Sequence, residues 1–478
     1  MKGIDYYLNY KNYFIIFIVI TLVAMYSLFL AKNYESPMNE IIILVISLIA
    51  GTLSIAYYIN TKSIYKTAII IILLFGLMFM FLSPAGTVPD EKNEMVISEM
   101  ITRGVLFPEY VNHDNEVGFQ TIDSISNLPT KKTILTTDWD NKNINYTIVI
   151  SNSTGGNNVF YSHIAQAVGV GLAKILNLNN IFLLWFARIC NLLLYAGLCG
   201  IAIKRTPILK MQMAVIACFP LSIIIAASAS SYAFVYSFTL IVISYLLNMY
   251  KSKNHFLTKK NVIIYAILVL ILGIVHPVFG LLILLLFIVP KDNFKGVNDN
   301  YLKFLSVIFI IITVGLWLKL SNDTIISSQL NYILSDPKTM ISLIKFPNQI
   351  SNQVASASTI FKVTFPFFNY MYLIFIVLLS VLYPINESLS RNKRIFLGLL
   401  LLIMVLGSFL VKYFFLSNGI INPLDVKVDV KDYLPILVLL PLVFNINNER
   451  IKNIDLIVIT SIISFVSIMI IFISTIFY

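Results

Sequence analysis

Long unbroken apolar runs follow one another along the chain, at about 13–31, 41–59, 67–83, 180–203, 211–229, 232–249, 303–320, 370–385, 395–416, 433–446 and 455–477. Most are long enough to cross a hydrocarbon core of about 30 Å as a helix. The runs do not alternate with polar residues, so membrane helices are predicted rather than barrel strands. The stretch 262–289 is too long for one span and breaks at His276-Pro277. Proline removes an N–H and disfavours helix at the residue before it, so two short helices meeting near the outer surface are predicted there. Segment 158–177 carries His163, Gln166 and Lys174 among apolar residues. It fits a span, a re-entrant piece or a surface helix equally well.

Charge separates those options. If 158–177 does not cross and the N-terminus is inside, then Lys2, Lys11, Lys62, Lys66, Lys204, Arg205, Lys210, Lys251, Lys253, Lys259, Lys260, Arg391, Lys393, Arg394, Arg450 and Lys452 all fall on the cytoplasmic side. That arrangement obeys the positive-inside rule and gives about 13 spans, with the C-terminus outside. The first apolar run lacks a small-residue cleavage site and reads as a retained span.

Composition agrees. Of 478 residues, 58% are hydrophobic and 12% charged, against about 25% charged in soluble proteins. The net charge of +11 would suggest nucleic acid in a soluble protein. Here it lies in short loops between spans and reads as orientation, with no nucleic-acid partner. Cys190, Cys199 and Cys218 sit in apolar segments and form no CxxC pair. The fold expected is an all-α polytopic transmembrane helix bundle with a long first extracytoplasmic loop. Three regions follow: two N-terminal spans (1–66), a core with the outer loop 84–157 (67–290), and C-terminal spans with an outer connector at 321–369 (291–478). The location is the cell membrane, multi-pass.

The outer loop 84–157 holds ten acidic residues against five basic ones, and its second half reads as a short hairpin. Its entry is the sharpest local feature. An apolar span ends, Pro84 and Gly86 turn the chain, and Pro89-Asp90-Glu91 follows. Asp90 is placed to cap the next helix and Gly104 to end it, while Glu94 shares a face with Asp90. A carboxylate at a low-dielectric boundary can also act as a base or hold a divalent cation. Arg188 lies inside a span, where it needs an interior partner or a polar cavity. His276 at the helix break is either a hydrogen-bonded structural residue or a ligand. Ser228-Ala229-Ser230-Ser231 supplies small residues suited to helix packing. Lys431 stands in a charged outer segment, either solvated or facing a phosphate as a point charge. Walker loops, HExxH, GxSxG and metal-spaced Cys/His sets are absent from the sequence.

Several of these features occur in an order that resembles the membrane family called domain-of-unknown-function 2142, placed in the wider GT-C glycosyltransferase-like fold group. The resemblance covers about residues 67–445. It rests on Pro89-Asp90-Glu91, Gly104, Phe160-Tyr161 with AVGVGLAKIL, Ala187-Arg188 with Asn191 to Leu194, His276-Pro277 with Phe279, and Lys431 to Pro435. Three positions depart from that family's usual pattern. Glu94 stands where a His is usual, Ser231-Tyr232-Ala233 lacks a final acid, and Lys431-Asp432-Tyr433 replaces Gly-Arg-Tyr. The resemblance implies transfer of a sugar from a polyprenyl-phosphate donor to a glycan or lipid acceptor on the outer face. Asp90 would be the catalytic base with Glu91 assisting, and the same pair would hold any Mg or Mn ion. Arg188, His276 and Lys431 would face the substrate phosphate, with Arg103 grouped among these basic candidates. A transporter or flippase for lipid-linked saccharides, and a non-catalytic scaffold of an envelope polysaccharide complex, are the competing functions.

Overall fold

Helices account for nearly all of the regular structure in a computed structural model of the chain. It describes residues 10–31, 38–83, 85, 86, 88, 90–107, 111–113, 116–128, 142–151, 159–252, 256–295, 299–335, 366–385, 389–411, 430–444 and 453–477. In chain order, α1 (Lys11–Ala31), α2 (Met38–Thr61) and α3 (Ile64–Leu82) are long and apolar, and α4 (Glu91–Thr102) is short and polar. Three strands follow, β1 (Val111–His113), β2 (Glu116–Ile122) and β3 (Ile148–Ser151). Next come α5 (Ile164–Ile175), α6 (Asn180–Arg205), α7 (Lys210–Ala217), α8 (Pro220–Ala226), α9 (Tyr232–Lys251) and α10 (Lys259–Val275). After a 3-10 helix at Pro277–Ile288, the chain continues through α11 (Asp299–Ser335), α12 (Pro366–Leu382) and α13 (Arg391–Val411). Short 3-10 turns at Val430–Asp432 and Leu434–Leu439 lead into α14 (Leu440–Phe444), and α15 (Ile454–Phe477) closes the described chain.

Seven helices among the described residues are long and apolar enough to cross a membrane, and shorter apolar helices such as Pro277–Ile288 and Leu434–Phe444 accompany them. Their side chains are sorted for lipid. Ile15, Val19, Ile49, Leu53, Phe304, Ile311, Leu399 and Leu402 are exposed, whereas Arg188, Asn191, Ser222 and Thr239 are buried. A water-soluble protein arranges these classes the other way round. The chain is therefore an all-α, multi-pass membrane bundle with lipid against its flanks.

Close helix contacts follow from small residues. An added Cβ at Gly76 on α3 would stand 2.5 Å from the Leu192 side chain on α6, and one at Gly169 on α5 would stand 2.2 Å from the Phe186 carbonyl oxygen. Glycine at each position lets two helices approach to backbone distance.

Several sequence expectations change. The run 211–229 is two short buried helices, α7 and α8, separated at Cys218-Phe219, where Pro220 opens α8. The break at His276-Pro277 falls where expected, but its second arm is a tight 3-10 helix. α5 has 12 residues, about 18 Å at 1.5 Å per residue, which is too short to cross alone. The connector beginning at 321 starts as helix, because α11 continues to Ser335; residues 336–365 lie outside the described residues. Most of the hairpin expected within 130–156 lies outside the described residues, which take in only 142–151 of it. β3 pairs antiparallel with β2, Phe119 opposite Ser151, and β2 pairs with β1, Val111 opposite Gly118.

These strands, α4 and α5 make a small cap on the N-terminal half of α6. Met95, Met100, Phe119, Ile122, Ile125, Val170, Leu183 and Ala187 form its own apolar core. Glu99 pins the cap together, accepting from Arg103 (2.9 Å), Lys174 (2.6 Å) and the Thr121 hydroxyl (2.9 Å).

Candidate functional site

α3 ends at Leu82 with carbonyls that have no helical partner. Arg188, buried about 12 Å from the start of α6 by the helical rise, supplies the missing donors. Its Nη1 donates to the Met80 and Ser83 carbonyls at 2.9 and 2.8 Å. Its Nε and Nη2 donate to the two carboxylate oxygens of Glu91 at 2.8 and 2.7 Å. Glu91 also accepts from the backbone N–H groups of Gly86 (3.0 Å) and Ala229 (3.1 Å). Both side chains are fully enclosed. The Arg at membrane depth thus faces an interior partner, as its cost in lipid requires. The same geometry ties both oxygens of Glu91 to fixed donors, which leaves Asp90 as the accessible carboxylate of the adjacent pair.

Asp90 departs from the capping role expected of it. It sits at the N-cap position of α4 but in the left-handed region, φ 67°, and its side chain makes no cap bond. Left-handed backbone at a non-glycine residue is uncommon, though Asp and Asn tolerate it best. The turn swings the carboxylate outward, where 59% of the side chain is exposed, and sets it 3.4 Å from Lys431 Nζ. Pro89 lies outside the described residues, as do Asp425, Lys427 and Asp429. Gly104 ends α4 as expected, at φ 84°, with the Val105 N–H reaching back to the Met100 carbonyl at 3.0 Å.

Lys431 is fixed by its own neighbours. The Tyr236 hydroxyl donates to the Lys431 carbonyl at 2.8 Å, and the Lys431 ammonium lies 5.0 Å above the Tyr232 ring. The Tyr232 hydroxyl bonds Asp432 at 3.0 Å, and its ring meets the His276 ring with centroids 6.0 Å apart. Asp90, Lys431 and His276 therefore gather around Tyr232 at the top of α9. Arg103 does not join them. It stands at the far end of α4, about 18 Å along the helix axis, and donates to Glu99 and to the Gln120 carbonyl.

Glu94 lies beneath Asp90, one turn along α4, and is almost fully buried. It accepts a short hydrogen bond from the Ser231 backbone N–H. His163 Nδ1 is 3.6 Å away. Burial pushes the Glu94 carboxyl up to about 7, an effect that the Ser231 bond opposes and Asp90 reinforces. Burial pulls His163 down to about 3. The histidine is neutral near pH 7, so this contact is not an ion pair there. His163 and Gln166, three residues apart on one face, have no hydrogen-bond partner among the described residues.

The segment 228–231 does more than pack. Its N–H groups hold Glu91 and Glu94, and its carbonyls at Ser228 and Ser230 accept from Asn191 Nδ2 at 2.7 and 2.9 Å. Sequence reading missed this cradle. The available signal was the pair of carboxylates three positions apart, Glu91 and Glu94, against a run of four small residues at a span's end.

A divalent cation does not fit the Asp90–Glu91 pair, because Glu91 spends both oxygens on Arg188 and two backbone donors. Among the described residues, no group of three or more His, Cys, Asp or Glu side chains converges in a way that could hold a metal.

The family of predicted membrane proteins termed DUF2142 matches residues 73–476. The chain belongs to this DUF2142 family. The match takes in α4, the 228–231 cradle, the His276 break and Lys431, so every part of the cluster around Tyr232 lies within the DUF2142 region. Comparison with curated proteins and with solved structures gave no match.

Proposed function

We propose that this DUF2142 protein transfers a glycosyl group from a polyprenyl-phosphate donor to an acceptor hydroxyl at the outer membrane surface. The observation that carries the reading is the Asp90–Lys431 pair, an outward carboxylate and an ammonium 3.4 Å apart at the top of the bundle. The two charges divide the chemistry. Asp90 takes the proton from the acceptor hydroxyl as its oxygen attacks the anomeric carbon of the sugar. The bond from that carbon to the phosphate oxygen breaks, its electron pair leaves with the polyprenyl phosphate, and Lys431 holds the charge as a point cation. Tyr232 orients Lys431 from below, and His276 backs Tyr232. In this reading Glu91 and Arg188 are positioning residues that hold the start of α4 against α3. The outer face is the side carrying the loop 84–157, with the N-terminus cytoplasmic, as the Lys/Arg distribution favours.

Asp90→Asn tests the reading. Asn tolerates left-handed backbone, and no cap bond is lost, so expression and melting should match the parent protein. With a polyprenyl-phosphate-linked hexose in proteoliposomes, release of free polyprenyl phosphate should fall by about 100-fold or more, the usual contribution of a general base. Asp90→Asn with parental transfer would overturn the assignment.

A further inference from the structure

At the other end of the bundle, one helix length from Asp90, a cavity of about 500 Å³ opens where α2, α12 and α15 meet. The 19 residues of α3 put it about 28 Å from the Asp90 end. Its lining includes Tyr58 and Lys62 from the end of α2, Tyr383 beyond α12, and Asn453 and Asp455 at the start of α15. These positions mark the ends of spans, the depth of lipid headgroups.

Two opposite charges face this cavity without pairing with each other. Lys62 lies 4.7 Å from the Tyr10 ring centroid and 5.6 Å from that of Tyr58, and has no carboxylate within ion-pair distance among the described residues. Asp455 accepts from the Tyr383 hydroxyl at 2.7 Å and from the Tyr58 hydroxyl. A carboxylate has about four acceptor sites, so two donors leave it able to take more. A cation and an unsaturated anion on one wall, not paired with each other, match a ligand that carries both charges.

A second cavity, about 260 Å³ and almost wholly apolar, lies deeper along the same seam. Ile16 and Ile20 of α1, Met371 of α12, and Thr460, Ser464 and Ile468 of α15 line it. Leu456 lines the upper cavity, and Thr460, Ser464 and Ile468 follow it at intervals of four on one face of α15. The lower cavity thus starts about 6 Å below the upper one and reaches about 18 Å along α15, the depth of an acyl chain.

We propose that this seam holds one phospholipid with a zwitterionic amino-phosphodiester headgroup. Its phosphate sits against Lys62, its ammonium against Asp455, and an acyl chain lies along Thr460, Ser464 and Ile468. The site is separate from the Tyr232 cluster and independent of the proposed transfer.

The test is native mass spectrometry of the full chain in mild detergent, with phosphatidylethanolamine, phosphatidylglycerol and soluble glycerophosphoethanolamine added in turn. The parent protein should retain phosphatidylethanolamine about tenfold over phosphatidylglycerol. Asp455→Asn should abolish that preference, and Lys62→Gln should weaken retention of both lipids. Ser464→Phe, which fills the lower cavity, should weaken retention of the lipids alone. Equal retention of the two lipids by the parent, or unchanged preference in Asp455→Asn proteins that melt like the parent, would overturn the proposal. Glycerophosphoethanolamine binding as tightly as the lipid would overturn the lipid source.

Discussion

Replacing Arg188 with Met should strongly destabilise the end of the bundle that carries α4. The guanidinium donates to both oxygens of the Glu91 carboxylate and to the carbonyls of Met80 and Ser83. Both charged side chains are fully enclosed, so water cannot replace what is lost. Removing one partner of a buried pair costs about 3–5 kcal/mol, since the other is left as an uncompensated charge. Glu91 keeps its two backbone donors, which places the expected cost near the lower end, about 3 kcal/mol. Adding Glu91→Gln removes the stranded charge, which outweighs the loss of one backbone bond, since Gly86 and Ala229 donate to different carboxylate oxygens and the single amide oxygen can accept from only one of them. The double variant should therefore recover about 2 kcal/mol relative to Arg188→Met alone. Thermal unfolding in detergent, followed by tryptophan fluorescence, reads this directly, because Trp185 lies one turn before Arg188 on α6. The reasoning fails if Arg188→Met melts like the parent, or if the double variant is no more stable than Arg188→Met.

Further outcomes follow from other parts of the structure. Glu94, raised from 4.5 to about 7, contributes stability that is full below pH 4.5 and lost as pH rises through about 7. His163, lowered from 6.5 to about 3, contributes stability that is full above pH 6.5 and lost as pH falls through about 3. Melting temperature should therefore peak between 4.5 and 6.5, and Glu94→Gln should flatten the alkaline limb; an unchanged limb would discount the buried carboxyl. Gly169→Ala puts a Cβ 2.2 Å from the Phe186 carbonyl oxygen, so α5 and α6 must separate, and a loss of about 1–3 kcal/mol is expected; parental melting would show that the helices part freely. A single cysteine at Ser252, after α9, should resist an impermeant thiol reagent on intact cells, and strong labelling there would invert the orientation read from the basic loops.

Much of the bundle was legible because lipid allows few solutions. Apolar runs such as 180–203 and 232–249 map directly onto α6 and α9, and an Arg inside a span had to find an interior partner. What it would find was not legible. Glu91 stands 97 positions from Arg188, and hydropathy carries no signal for pairing over that distance. The run 211–229 misled for a related reason. It is apolar because protein surrounds it, and a buried broken segment has the same composition as a span. Asp90 was placed correctly at the start of α4, but its left-handed backbone reverses the local inference, since a capping Asp turns its carboxylate inward and this one points out. His163 and Gln166 were visible as polar residues in an apolar segment. Their burial, and the place of His163 beside Glu94, depend on how this segment docks against α4, which tertiary packing sets.

The contact between Asp90 and Lys431 joins positions 341 residues apart, whereas Glu91 and Arg188 are separated by 97. At a synthesis rate of roughly 5–20 residues per second, the buried pair becomes available roughly 5–19 s after Glu91 emerges, and the outer pair only after roughly 17–68 s. A nascent chain that stalls between those times holds both Glu91 and Arg188 but lacks the Lys431 cation that faces Asp90. The Asp90–Lys431 contact therefore forms only once nearly all of the polypeptide has been made, and a product ending before residue 431 lacks its cation.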